Sequence, residues 1–235
     1  MADIVDKALG SLIRSLSDQN YEQSLVSYRF WLGMGQTYYE IPPDQIFNVI
    51  WNNRVTENSS LDPNKGQLIH STAQLILRFA RDAESGHVLV PHSSGLQTRL
   101  CARSLQEFFS SNVEAVWRKS LPVNSFYADA NLIAHWANLG YIEEAVIRDH
   151  ILQSLTIPYQ ALWNHHAEAL IILFKLAGAT FGAYANPSVV DRCFQLLNDR
   201  HGYLGSGTRS TEVKRLIKVC APCPVKGVHR AKANF

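Results

Sequence analysis

The sequence predicts an all-α fold, and three observations carry that expectation. Apolar residues recur at intervals of three and four along most of the chain, clusters of Gly, Pro and Ser punctuate them at short spacing, and only residues 87–90 read as a strand. A strand that short builds no sheet. The 235 residues are 46% hydrophobic and 18% charged, with 5 Trp, 9 Tyr and 10 Phe, so the chain can bury a substantial core and differs sharply from disordered sequences.

In the opening segment Ile4, Val5, Ala8, Leu9, Leu12, Ile13 and Leu16 form one stripe, with Asp6, Lys7, Ser11, Arg14 and Ser15 on the other side, the pattern of an amphipathic helix. A second helix is expected over 21–34, closing near Gly33 and Gly35. The Pro42-Pro43 pair then opens a short helix with Ile46, Phe47, Val49, Ile50 and Trp51 on its apolar face, because a proline loses nothing in a first helical turn, whose N–H groups have no intrahelical acceptor. Residues 52–64 are rich in Asn and Ser and end in Asp62-Pro63, a loop leading into a long helix through Leu68, Ile69, Ala73, Leu75, Ile76, Leu77, Phe79 and Ala80 that ends near Glu84.

Ser85, Gly86, Pro91, Ser93, Ser94 and Gly95 make the strongest break of the first half. Helices are expected beyond it over 96–109, 113–121, 126–139, 142–155, 158–176 and 187–197, and the short loops between them favour antiparallel neighbours. Gly202, Gly205 and Gly207 open the tail, followed by a short helix over 211–219 and then Pro222, Pro224 and Gly227. The last dozen or so residues are expected to be poorly ordered. The pattern amounts to roughly ten helices in pairs of roughly 35 to 45 residues, which fits hairpins stacked as an armadillo- or HEAT-like α-solenoid, or else a compact helical bundle. Residues 1–208 are read as a single all-helical domain with a weak division at 85–95, and 209–235 as a basic, partly disordered C-terminal segment.

A solenoid should leave an internal repeat. Trp31-Leu-Gly-Met34-Gly35 and Trp136-Ala-Asn-Leu139-Gly140 share a W-x2-[LM]-G pattern, and Tyr38 follows the first three residues after its Gly. Over about eight residues this resembles the opening of a tetratricopeptide repeat. The following positions do not continue the pattern, and the second copy lacks the Tyr. Two core Trp residues near helix ends are the preferred account.

The 22 Lys and Arg against 20 Asp and Glu give a net charge of +2, but the charge is unevenly placed. Residues 209–235 hold seven basic residues against Glu212 alone, a net +6, which leaves the first 208 residues at −4. Lys214, Arg215, Lys218, Lys226, Arg230 and Lys232 are therefore the candidate contacts for a nucleic acid or another anionic partner. Aromatic residues are almost absent around them, so no stacking platform for single strands is expected.

Catalytic and metal-binding motifs fare poorly. Cys220-Ala-Pro-Cys223 has redox-dithiol spacing, but no strand precedes it and too little chain follows for a thioredoxin-like unit. A zinc site there would need further ligands, with His229, His201 and Cys193 the nearest. Two ordinary tail cysteines are the plainer reading, and Cys101 stands apart in sequence. His135, Glu143, Glu144, His150, His165, His166 and Glu168 fall on three successive expected helices. None of these helices carries the Glu-x-x-His that carboxylate-bridged di-metal bundles use, and Glu144 and His150 are six positions apart, about 240° around a helix. Glu143 and Glu144 are instead expected near a helix N-terminus, with His150 on a polar side. Gly205-Ser-Gly207 lacks the strand of a nucleophile elbow, the same glycines lack the G-K-[ST] of a phosphate loop, and no aspartate-rich run exists for a Mg²⁺-dependent terpenoid synthase.

No cofactor is expected. The leading expectation is a non-catalytic domain that binds another macromolecule, a protein first of all. One alternative is a helical enzyme with a site around His135, His150 and His165, and another is a scaffold contacting nucleic acid or acidic surfaces through the tail. No membrane span is expected, since the most apolar stretch, 167–185, contains Glu168 and Lys175, each costly at a bilayer centre. The first ten residues lack the apolar run of a signal peptide, so the expected location is cytoplasmic, with the nucleus as the alternative.

Overall fold

The structure is a computed structural model that describes residues 10–11, 43–52, 63–87, 94–118, 123–156, 163–200 and 215. Within them every regular element is helical and none is a strand. The expected helices over 4–16, 21–34 and 211–219 lie outside the described residues but for Gly10, Ser11 and Arg215, as do most of the expected strand and Trp31. Seven helices are described: α1 (Pro43–Asn52), α2 (Pro63–Glu84), α3 (Leu96–Arg118), α4 (Val123–Asn138), α5 (Glu144–Val146, a π-turn Ile147–Ile151, and Leu152–Leu155), α6 (Trp163–Tyr184) and α7 (Pro187–Arg200). They fall into two compact units, Met1–Ile142 and Glu143–Phe235; both helices flanking residues 85–95 belong to the first.

In the first unit α2, α3 and α4 pack against one another and α1 lies on α3. The centre is α4, where every residue from Phe126 to Ala137 is buried except the half-buried His135. A helix apolar on most of its circumference must be enclosed by others. Phe126 stacks on Phe108 of α3 with ring centroids 4.9 Å apart. Two of the polar groups enclosed here turn back on their own helices: Ser104 Oγ donates to the Leu100 carbonyl at 2.8 Å and Asn131 Nδ2 to the Tyr127 carbonyl at 2.9 Å, which spares each the cost of an unpaired buried donor.

Residues 96–118 form one helix where two were expected, 96–109 and 113–121. The polar run Ser110-Ser-Asn112 reads as an interruption, but each such residue costs a helix only about 0.5 kcal/mol, and neither Gly nor Pro is present to break it. Burial of Ser111 and Asn112 against the core secures the continuation.

The start of α3 is held by the end of α2. The Glu84 carboxylate accepts the Gln97 backbone N–H at 3.0 Å and its side-chain amide at 2.5 Å, so an anion sits where the first N–H groups of α3 have no intrahelical acceptor. On the other side of α3, Arg99 pairs with Asp44 and lies 4.7 Å over the Phe47 ring, and one turn later Arg103 lies 5.9 Å over Trp51. Cations on ring faces thus zip α1 to α3.

In the second unit α5, α6 and α7 pack together. Phe174 stacks on Phe194 at 5.0 Å and meets Phe181 edge-on at 6.4 Å, with Ile151, Leu155, Leu170, Leu173, Cys193 and Leu197 buried in the same unit. The expectation that a helix ends at Leu176 marks a real break: Ala177 has φ −134° and ψ 26°. The break is one residue deep, with Gly178 next to it, and the helix resumes and runs to Tyr184. Its Asn164–Tyr184 stretch is, among the described residues, the one helix long and apolar enough to cross a membrane, and half of its most apolar window is buried inside the fold. Such burial is equally the mark of a core helix.

The helix α7 begins on a strong cap. Asn186 Oδ1 accepts the Ser188 N–H at 3.1 Å and the Ser188 hydroxyl at 2.9 Å, and Pro187 occupies the first helical position.

Candidate functional site

The side chains singled out from the sequence are divided between the two units. His135 lies on α4 in the first; Glu143, Glu144, His150, His165, His166 and Glu168 lie in the second. Glu143 precedes α5 as its N-cap residue, with φ −58° and ψ 139°, and its carbonyl accepts the N–H groups of Val146 and Ile147. With Glu144 in the first turn, both carboxylates stand at the positive end of the helix. His150 is exposed on the π-turn. Among the described residues no three His, Cys, Asp or Glu side chains come close enough together to hold a metal ion.

His165 and His166 open α6 on different terms. His165 is half-buried, and burial lowers its pKa. His166 is 2% exposed; burial is the chief reason that its pKa falls to about 4, neighbouring His165 adds to the fall, and a hydrogen bond to the Leu155 backbone opposes it. At neutral pH it is an uncharged core imidazole. It carries a single ring N–H and is closed off from bulk solvent.

The described thiols are equally withdrawn. Cys101 and Cys193 are free and buried, and burial raises their pKa values to about 11 and about 12. A nucleophilic cysteine needs the opposite shift. Cys220, Cys223, His229 and the cationic Lys214, Lys218, Lys226, Arg230 and Lys232 lie outside the described residues, as does the glycine cluster at 202–207; Arg215 is helical and exposed.

The surface feature the sequence reading passed over is the turn that closes α4. Gly140 has φ +75°; its N–H donates to the Ala137 carbonyl at 3.2 Å, and the Tyr141 N–H reaches back to the Trp136 carbonyl at 3.0 Å. This is a Schellman ending, and the hydrophobic contact that accompanies such endings is the Trp136–Tyr141 ring pair, edge to face at 5.3 Å. The Cys101 thiol donates to the Tyr141 carbonyl from below at 3.9 Å. The W-x2-L-G pattern here is therefore a helix end around a wholly buried Trp.

Leu139 and Tyr141 flank that glycine and remain 57% and 39% exposed. Burial raises the Tyr141 pKa above its usual value, with the Glu84 carboxylate and Cys101 adding to the effect, so its hydroxyl stays a neutral donor. Two large side chains exposed on a multiply hydrogen-bonded turn can make a contact with another surface. The sequence signal for them is the pair of large apolar residues on either side of a helix-ending glycine, of which the turn itself uses only Tyr141, through its contact with Trp136.

No protein-family model, curated protein or solved structure matches the chain.

Proposed function

We propose that the chain is a soluble, non-catalytic helical domain that binds another protein, with its helical hairpins stacked as a small solenoid that offers a docking face. The observation that carries this reading is the exposed pair Leu139 and Tyr141, held on a turn whose backbone is fixed by Trp136, Ala137 and Gly140. Exposed apolar side chains on a preorganised backbone lose little entropy on contact and release water from their surfaces, which makes them effective anchors. The withdrawn character of Cys101, Cys193 and His166 supports the non-catalytic half of the reading, since each is neutral and enclosed at pH 7.

The test compares the wild-type chain with a Leu139→Asp variant in affinity capture from native cell extract, read by mass spectrometry. A partner retained by the wild type and lost by the variant is the expected result, with circular dichroism and thermal melting little changed because the Leu139 side chain is 57% exposed. Equal capture by the two proteins would show that this turn is not the docking surface.

A further inference from the structure

We draw no further inference here: the strongest candidate, the exposed apolar pair Leu139 and Tyr141 on the turn that ends α4, belongs to the surface already described, and nothing in the structure shows what covers it.

Discussion

The Asn186 backbone N–H donates to the Arg148 carbonyl at 3.3 Å, tying the first residue of the α7 cap to the π-turn of α5. Arg148 lies within the π-turn Ile147–Ile151, so the bond links that turn to the start of α7. Asn186 is used on every side. Its side-chain oxygen takes two bonds from Ser188, and its carbonyl takes the N–H groups of Val189 and Val190. One residue thus joins two helices of the second unit and starts one of them.

Asn186→Ala removes the side-chain cap and leaves the backbone bond to Arg148 available. The expected loss is about 1 kcal/mol, the usual worth of an N-cap side chain. Asn186→Asp and Asn186→Ser, which keep an acceptor oxygen, should stay close to wild type. Urea denaturation of the full chain measures the difference, and an alanine variant with an unchanged midpoint would contradict the capping role.

Gly140→Ala isolates a backbone effect. A Cβ built on Gly140 meets nothing within 4 Å, so no clash contributes, and the cost comes from holding an L-residue at φ +75°. That cost is about 1–2 kcal/mol. The measured drop in stability should therefore appear without any change in Trp136 packing, which near-ultraviolet circular dichroism reports. A neutral or stabilising Gly140→Ala would mean that the α4 ending is not left-handed.

Much of this architecture is legible from residue patterns alone, for reasons that differ by element. The opening of α1 at Pro43 and the helix spanning Pro63–Glu84 follow from proline placement and an apolar stripe, both local signals. The end of α4 at Leu139 and Gly140 is local as well, since a glycine there supplies the left-handed residue. Three features are not local. The continuity of α3 through Ser110-Ser-Asn112 goes with the burial of Ser111 and Asn112 in the fold, the π-turn involves a carbonyl whose partner lies 38 positions away at Asn186, and the Glu84 cap on Gln97 joins residues 13 apart. The surface at Leu139 and Tyr141 was hidden for a related cause: an apolar residue in sequence reads as core until the packing shows which face it occupies.

Burial makes a prediction for the thiols. With pKa values raised to about 11 and about 12, the thiolate fractions of Cys101 and Cys193 at pH 8 are on the order of 10⁻³ and 10⁻⁴, and only the thiolate attacks an alkylating reagent. Both should resist iodoacetamide in the native protein and react readily in urea, as peptide mass spectrometry would register site by site. Rapid native labelling of Cys193 would place that thiol at an open surface and overturn the packing of α7 described above.

His166 sets a pH dependence whose sign can be worked out. Unfolded, its imidazole titrates near the ordinary 6.5; folded, burial lowers this to about 4, with neighbouring His165 adding to the fall. Between those values the unfolded chain binds a proton that the folded chain refuses, so stability rises with pH across the window. It is fully present above pH 6.5, falls as the solution is acidified toward pH 4, and changes no further from this group below that. A shift of this size corresponds to at most about 3 kcal/mol. Urea midpoints measured from pH 8 to pH 4 should fall more steeply for the wild type than for His166→Gln and His166→Phe, because carboxylates elsewhere titrate alike in all three proteins. Using two replacements separates titration from packing: the two differ in what they cost at neutral pH, yet both should flatten the same interval. Parallel curves across that interval would show that His166 carries its proton in the folded state, and the enclosed neutral imidazole at the start of α6 would have to be abandoned.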